Sequence, residues 1–539
     1  MKEIIYIQAG NFANHIGTHF WNTQESYFTY EEGEDPIVEH DISFREGRTL
    51  NGESTFCPRL LLFDHKSNFG VLDDGLYGDE AAEIELEGIT SEWNGSIVEY
   101  RQDALPKSEY QAHLEEEFGG EGSSSHFRDS IDESSSYRPA TSSVRYWSDY
   151  SRVALHPRTT QRIPNVPEYE NHDGDWVLGR DTFKRYDEEI SLMEGSFRVF
   201  VEECDSLQGL QVMNDTTSFG GFTHSLITSF RDEFTKTSCF TFPILSSSVP
   251  GLIEADDAIG IRKALNDALF LRSLDELSTI CIPFQSPVNW QRGRWSRNFN
   301  HFSRRNLYQT SALLSTHLES TTLPVRLRDT TDDLSSIASI LNWREVTRFA
   351  HIGGVFPLTS TSPFDAGGEL ERRLYDHTMS STPDPHIINS ALARVDVLRG
   401  LSSFQQSSYE EYLDGLRLII PHNVRAPSIP LPTSFPPLLL QEPSSPVPDR
   451  QIANIPLTSV SAVSMLFTTP STSNMFSLYA DFVETVLHKN GDVTERMGLD
   501  RDDIRILMND LRILEDTYKE GNDAGSGVAY SSFGEDEEF

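Results

Sequence analysis

The sequence is short of basic residues, of cysteine and of long apolar runs, and each shortage excludes a class of protein. Its 44 Lys and Arg stand against 83 Asp and Glu, which gives a formal net charge of −39 at pH 7. Direct binding of nucleic acid needs clustered Lys and Arg to neutralise phosphates, and broad adsorption to anionic lipid needs the same, so neither is expected. The composition fits a soluble protein with acidic loops and tails.

The few cysteines and the lack of apolar runs narrow the class further. The cysteines are Cys57, Cys204, Cys239 and Cys281, and none forms a C-x-x-C pair. We therefore expect buried reduced thiols, with neither a zinc site nor a disulfide framework. No stretch approaches the ~18 apolar residues of a membrane-spanning helix. The opening "KEIIYIQAG" contains Glu3 and alternates like a strand, unlike a signal peptide or a mitochondrial presequence.

The order of apolar runs and glycines predicts an α/β fold. Residues 4–7 read as a buried strand that ends at Gly10, and a helix is predicted over residues 14–25. A second buried strand, residues 60–63, ends in Asp64. An Asp at the carboxyl edge of a sheet often faces a ligand, although an Asp that caps a turn fits the pattern equally well.

Further along, residues 196–213 read as one amphipathic helix, residues 214–225 as a loop, and "LITSFRDEF" as the next helix. Strands that alternate with helices imply a largely parallel sheet, then a second α/β unit, then helices.

Composition divides the chain into parts. Residues 1–285 are predicted to form an N-terminal α/β domain, within which residues 79–143 are a largely disordered acidic and Ser-rich insertion. The parts that follow are an intermediate α/β domain (286–428), a Pro-rich linker or wrapped loop (429–450), a C-terminal helical region (451–520) and an acidic tail (521–539).

Several segments carry a family resemblance. The opening fits "I-x-x-I-Q-A-G" followed by "N-x-I-G-x-x-F-W", and "ECDSLQGLQV" (203–212) is similar to "C-D-x-L-Q-G-F-Q"; both patterns are typical of tubulin. "MNDLRILEDTYKE" (508–520) resembles tubulin's last helix. The long insertion, "YWSDYSRVALHPR" (146–158) and "LYQTSALLSTHLESTTLP" (307–324) resemble the Misato family of tubulin-like proteins, in a form that looks fungal. The resemblance implies a tubulin/FtsZ-like fold, with an N-terminal Rossmann-like nucleotide-type domain, a second α/β domain and C-terminal helices.

The resemblance also implies a nucleotide site, and this chain departs from its pattern. Tubulins hold phosphates in a loop of the type G-G-G-T-G-S-G, whose glycines let backbone N–H groups converge on the ligand. The matching stretch "DTTSFGGFTHS" (215–225) is about two residues shorter and adds two phenylalanines and Asp215. In the opening turn, Asn11-Phe12-Ala13 stands where tubulins carry Gln-Cys-Gly, and Phe12 is bulky where a small side chain normally meets the nucleotide.

We interpret this region as a vestigial nucleotide site, with a weakened but working GTP site as the alternative. The candidate cofactor-binding residues are Gly10, Asn11, Phe12, Asp64, Gly220, Gly221 and Thr223. The loop that completes hydrolysis in tubulin polymers, G-x-x-N-x-D-x-x-E, is best matched by "RDTTDDLSS" (328–336), in which Ser336 replaces the catalytic Glu. We therefore expect no polymer-coupled GTPase, no catalytic residue and no required cofactor.

Two other sets of residues are candidates for binding. His15 and His19 have the i, i+4 spacing of zinc ligands but lack a third ligand, so we expect them to face solvent and predict no metal site. The aromatic and basic stretch at 146–158 contains Trp147, Tyr150, Arg152 and Arg158, residue types that are typical of binding hot spots. The alternative is that the rings pack the return of the insertion onto the domain.

The Misato resemblance implies a non-enzymatic protein for mitochondrial distribution and morphology, and for partitioning of mitochondria and mitochondrial DNA at inheritance. It implies protein partners on the cytosolic face of mitochondria or on the cytoskeleton, and a location at the periphery of the mitochondrion and in the cytoplasm. The second hypothesis is a GTP-binding, assembling cytoskeletal protein of the tubulin/FtsZ type. The altered residues at 10–13 and 215–225 favour the first hypothesis.

Overall fold

The computed structural model describes residues 2–29, 35–48, 54–72, 106–118, 143–163, 175–297, 299–358, 372–378, 385–416, 418–439 and 458–519. The strands are β1 (Glu3–Ala9), β2 (Phe44–Arg48), β3 (Ser54–Pro58), β4 (Leu60–His65), β5 (Thr160–Ile163), β6 (Leu207–Asp215), β7 (Ser238–Ile244), β8 (Ile280–Cys281), β9 (His351–Val355), β10 (Tyr375–Asp376), β11 (Ala393–Arg399), β12 (Ile420–Ala426), β13 (Ile429–Pro430), β14 (Ser459–Val460) and β15 (Ala462–Thr468). The α-helices are α1 (Asn11–Glu25), α2 (Glu109–Phe118), α3 (Trp176–Ile190), α4 (Arg198–Glu202), α5 (Thr216–Glu233), α6 (Ala258–Leu277), α7 (Leu307–Thr322), α8 (Leu334–Leu341), α9 (Pro385–Asn389), α10 (Ser403–Asp414), α11 (Thr472–Lys489), α12 (Gly491–Arg496) and α13 (Arg501–Lys519).

The first sheet confirms the predicted tubulin-like α/β fold. Its six strands lie in the order β5-β4-β1-β6-β7-β8, and their pairs run parallel. Strand β1 is buried along its whole length, as expected for a parallel sheet that is covered on both faces. Ile5 and Ile7 face the core formed with α5 and α6, whereas Ile4 and Tyr6 face the core formed with α1 and α7.

The second sheet shows that the region at 451–520, predicted to be helical, also contains a strand. Its strands lie in the order β10-β9-β15-β11-β12, so β15 is the central strand. This strand pairs antiparallel with both β9 and β11, and its residues are all buried. Seven consecutive buried residues have the length of a strand, but a short apolar run without alternation does not distinguish a buried strand from a helix segment.

Helix α7 connects the two sheets. Every residue of it from Tyr308 to Thr322 is buried, and it contacts α1 on one side and β9, β11 and β15 on the other. On the opposite face of the first sheet, α11 and α13 pack against α6 and share its apolar core. Among the described residues, no helix is both long and apolar enough to cross a membrane.

The prediction of one helix over 196–213 followed by a loop over 214–225 is wrong. Only α4 and a short π-helical turn before it are helical, and residues 207–215 form β6 at the centre of the first sheet. Because both faces of β6 are buried, its sequence lacks the alternation that marks a half-exposed strand. Helix α5 then begins at Thr216, directly after the strand.

Two segments predicted to be irregular are partly packed. Within the insertion at 79–143, which was predicted to be largely disordered, residues 109–118 form α2; the hydroxyls of Tyr110 and Tyr308 lie 2.9 Å apart. Most of the rest of that insertion lies outside the described residues, as does the tail at 521–539. In the Pro-rich segment, β13 pairs with β14 and Leu438 is buried. Of the two alternatives, a linker or a wrapped loop, residues 429–439 therefore form the wrapped loop.

Candidate functional site

The carboxyl edge of the first sheet places an aspartate on the N-terminus of α1. Strand β1 ends at Ala9, and Gly10, whose φ of 108° favours glycine, joins it to α1, which begins at Asn11. The backbone N–H groups of Phe12 and Ala13 each donate to a different carboxyl oxygen of Asp215, at 2.9 Å. A Cβ atom on Gly10 would lie 2.6 Å from Oδ2 of Asp215. Gly10 therefore provides both the backbone turn and the room for this carboxyl group.

A helix N-terminus attracts anions because its first N–H groups lack partners within the helix. In this chain the attraction is directed to a group of the protein itself. Asp215 is the last residue of β6 and makes no side-chain hydrogen bond to α5, the helix that it precedes. Its carboxyl group thus occupies two of the free N–H groups at the start of α1, in the turn that the sequence matches to a tubulin nucleotide turn.

The surroundings of Asp215 favour its neutral form. Protein atoms crowd the carboxyl group, although the residue stays partly accessible to solvent, and this desolvation raises its pKa to about 7. The hydrogen bonds from the N–H groups of Phe12 and Ala13 lower the pKa of Asp215, whereas the negative charge of Asp64 raises it further. Near pH 7 the group is therefore both an acceptor for the helix and a partial negative charge at its end.

The two glycines predicted to contact phosphate lie inside a helix. Gly220 and Gly221 belong to α5 and are buried. A Cβ atom on Gly221 would lie 2.1 Å from the carbonyl oxygen of Trp176, whereas one on Gly220 would lie 3.7 Å from the Trp176 ring. Gly179 of α3 is also close to the other helix, since its Cβ atom would lie 3.0 Å from the backbone nitrogen of Phe222. Gly221 and Gly179 therefore allow α3 and α5 to cross at short distance, and the stretch predicted to be a vestigial phosphate loop is the first half of α5.

The other residues of that stretch are also part of the core. The ring centroid of Phe222 lies 5.2 Å from that of Phe63 and 5.3 Å from that of Phe183. Phe219 and Thr223 are buried as well. On the other face of the sheet, Phe12 is partly buried against the core that contains α1 and α7.

Asp64 is a structural acceptor rather than a ligand-facing group. It is fully buried, and its oxygens accept hydrogen bonds from the side chains of Asn14, Asn68 and Trp147 at 3.0, 2.8 and 3.2 Å. The backbone N–H of His65 donates a fourth, at 2.8 Å. Burial nevertheless raises the pKa of Asp64. These donors hold Trp147 and α1 against the end of β4.

The predicted interaction patch is mostly internal. Trp147 and Tyr150 are fully buried, so the prediction that they form an exposed binding patch is wrong and the packing alternative holds. Tyr150 hydrogen-bonds with Nδ1 of His15 at 2.7 Å and lies against His19. Those histidines are buried too, against our expectation that they face solvent, and desolvation lowers the pKa of each to about 3.

The two arginines of the patch differ in their surroundings. Arg152 donates to Oγ1 of Thr433 at 3.0 Å and forms an ion pair with Glu25 at 3.6 Å, so it joins α1 to the wrapped loop. Arg158 is exposed. Of the four predicted interaction residues, Arg158 is thus the one that the fold leaves at the surface.

The segment matched to tubulin's hydrolysis loop begins a helix of this fold. Asp333 caps α8 by accepting from the backbone N–H of Ser336 at 2.8 Å, and the Ser336 hydroxyl lies 2.9 Å from the N–H of Asp333. Asp333 also accepts from the ammonium group of Lys2 at 2.6 Å. In the described residues, no three His, Cys, Asp or Glu side chains are grouped as metal ligands.

The sequence analysis does not identify another buried carboxyl group at the carboxyl edge of the first sheet, that of Asp267. Asp267 of α6 accepts from the hydroxyl of Ser246 at 2.6 Å, from that of Tyr479 at 3.2 Å, and from the hydroxyl of Thr216 at the start of α5. Desolvation raises its pKa to about 6. No motif marks it, because its partners lie on three separate elements. It fixes the start of α5 to α6 and α11.

A parallel sheet with a nucleotide-type turn, joined through α7 to a second sheet, defines a tubulin-like protein. Comparison with known proteins agrees: residues 2–116 match the family model described as Misato Segment II tubulin-like domain, and residues 136–327 match the model described as Tubulin domain. The chain is thus similar to the Misato family of tubulin-like proteins.

Similar proteins come from fungi and from an animal. Protein DML1 of Coccidioides immitis is 35% identical over 61% of this chain and 59% of its own length. Protein dml1 of Aspergillus clavatus is 34% identical over 63% of each chain, and Protein misato homolog 1 of Pongo pygmaeus is 28% identical over 64% of this chain and 63% of its own. The match thus spans about three fifths of the length of these relatives.

Proposed function

We propose that this chain is a non-enzymatic, tubulin-like protein that works through contacts with other proteins and does not bind or hydrolyse GTP. The observation that supports this proposal most directly is the hydrogen-bonded position of the Asp215 carboxyl group on the N–H groups of Phe12 and Ala13. A triphosphate that used the same N–H groups would have to displace a carboxyl group of the chain and remain beside it.

Three further features oppose a triphosphate at this edge. Helix α5 begins directly after β6, so no glycine loop is left to surround phosphates. The glycines that remain are used in the crossing of α3 and α5. Asp64 adds a second carboxyl group nearby, and like charge at short distance disfavours an anion. These features also weigh against the alternative of a GTP-binding, assembling cytoskeletal protein.

We further propose a role in the distribution and morphology of mitochondria and in partitioning mitochondria and mitochondrial DNA at inheritance. The similarity to the Misato family supports this role. We place the protein at the cytosolic face of the mitochondrion and in the cytoplasm, with protein partners on that face or on the cytoskeleton.

Deletion and rescue in the organism that carries the protein test this role. We expect deletion to produce unevenly distributed mitochondria and cells that lose mitochondrial DNA, both scored by microscopy. Rescue by the unaltered chain is the control, and an Asn11→Ala variant should rescue equally well because the proposed protein turns over no nucleotide. Normal mitochondrial distribution after deletion would contradict the proposed role.

A further inference from the structure

The segment that precedes α7 differs in charge from the rest of the molecule. Asp and Glu account for 83 of the 539 residues, yet none occurs between Glu276 and Glu319. Residues 292–305 contain five arginines and no lysine. In a chain with a net charge of −39, this is a concentrated positive segment.

These residues line a groove of about 440 Å³. Its walls include Arg292, Arg304 and Arg305, and its aromatic lining is formed by Trp295, Phe299 and Phe302. We call it the arginine groove. The aromatic lining is held from behind, because the Trp295 ring lies 4.7 Å from that of Tyr375 and the Phe302 ring lies stacked 6.4 Å from that of Trp290. The groove is therefore preformed.

The arginines are positioned to receive an anion. The Arg304 guanidinium donates to the carbonyl oxygen of Trp290, which fixes its place in the wall. Arg292 and Arg305 are exposed, and no carboxylate in the described part of the chain forms an ion pair with either. A guanidinium presents several N–H donors in a planar fork that matches a carboxylate with two parallel hydrogen bonds.

We propose that the arginine groove binds a short acidic peptide, an Asp- and Glu-rich segment of a partner protein. The inference deepens the proposed function, on which it rests, by supplying the chemistry of one protein contact. Carboxylates of the peptide pair with Arg292 and Arg305, and an apolar side chain between them packs on Trp295 and Phe302.

The net charge of the protein favours a short anion over an extended one. Exposed charges interact over a Debye length of about 8 Å at physiological salt. A nucleic acid or an anionic bilayer extends far beyond the groove and brings its charge against the acidic remainder of the surface. A short peptide confines its negative charge to the groove.

Fluorescence anisotropy with the full chain tests the inference. The probe is a fluorescein-labelled peptide of sequence EEDEFEEDE, and its uncharged counterpart is QQNQFQQNQ, both at about 0.15 M salt. We expect saturable binding of the acidic peptide, no binding of the uncharged one, and affinity about tenfold weaker in an Arg292→Gln, Arg305→Gln variant. Both arginines are exposed, so the variant keeps the fold.

The matched control removes two exposed arginines elsewhere, Arg425→Gln with Arg505→Gln, and so changes the net charge equally. Its affinity for the acidic peptide should be unchanged. Equal losses in the two variants, or equal binding of the two peptides, would overturn the inference. So would a groove variant that loses binding to phosphatidylserine-containing vesicles while keeping the peptide. These outcomes do not depend on GTP binding. Detection of GTP binding would overturn the proposed function but would not bear on the binding of a peptide to the arginine groove.

Discussion

The Oδ2 atom of Asp215 accepts a hydrogen bond from the backbone N–H of Phe12 at 2.9 Å, across more than two hundred residues of sequence. The register of the first sheet explains this contact. Ala9 pairs with Asn214 across β1 and β6, so the next residue of each strand, Gly10 and Asp215, lie side by side at the sheet's edge. The helix that follows β1 therefore starts on a carboxyl group from the neighbouring strand.

Replacing Asp215 by Ala should destabilise the protein because two N–H groups of α1 lose their acceptor. Removal of a helix-capping side chain costs about 1 kcal/mol, and we expect a loss of that size in the unfolding free energy at pH 6. The measurement is urea unfolding followed by circular dichroism. Asp215→Asn keeps one acceptor oxygen and serves as the control, with a smaller loss. A stability equal to that of the unaltered chain would show that the contact does not hold α1.

The stability that depends on Asp215 should fall as pH rises. Its pKa is about 7 in the folded protein and near 4 when unfolded, so the folded state binds more protons between these values. The unfolding free energy of the unaltered chain should therefore decrease, relative to Asp215→Asn, as pH rises from 4 through 7. Urea unfolding of both proteins at pH 5 and pH 8 measures this. A parallel pH dependence of the two proteins would mean that the pKa is not raised.

The two neighbouring glycines of α5 should respond oppositely to alanine. Gly221→Ala places a Cβ atom 2.1 Å from the carbonyl oxygen of Trp176, so α3 and α5 must separate, and we expect a loss of about 1–3 kcal/mol. Gly220→Ala meets the Trp176 ring at an ordinary 3.7 Å and should gain about 0.5–1 kcal/mol from lower flexibility of the unfolded chain.

Thermal unfolding of these two single variants beside the unaltered chain measures both effects. Gly220→Ala is the matched control for Gly221→Ala, since it makes the same chemical change one position away in the same helix. If instead the glycines served a phosphate loop, neither change would affect stability in the absence of nucleotide.

Trp147 should behave as a core residue. It is fully buried and donates to Asp64, so Trp147→Ala should lower the unfolding free energy by about 3–5 kcal/mol. Arg158→Ala, from the same stretch but exposed, is the control and should stay within about 0.5 kcal/mol. Thermal unfolding of the purified variants tests this. A Trp147→Ala protein that is as stable as the unaltered chain, but no longer binds a partner protein, would support the hot-spot interpretation instead.

The sequence predicts best the strands, turns and helices that depend only on residues close together in the chain. Strand β1, the turn at Gly10 and the helix after it follow from a local pattern of apolar residues and a glycine. Strand β6 was missed because burial on both faces removes its alternation. The contact of Asp215 with α1 and the approach of Gly221 to Trp176 depend on sheet register and on a helix crossing, which join residues far apart in the chain.

Calorimetric titration of the purified full chain with GTP and magnesium at pH 7.5 tests the central claim most directly. With the Asp215 carboxyl group on α1 and no glycine loop before α5, we predict no saturable heat of binding. The same titration of Asp215→Asn shows whether the negative charge alone excludes the nucleotide. A micromolar dissociation constant for the unaltered chain would contradict the account.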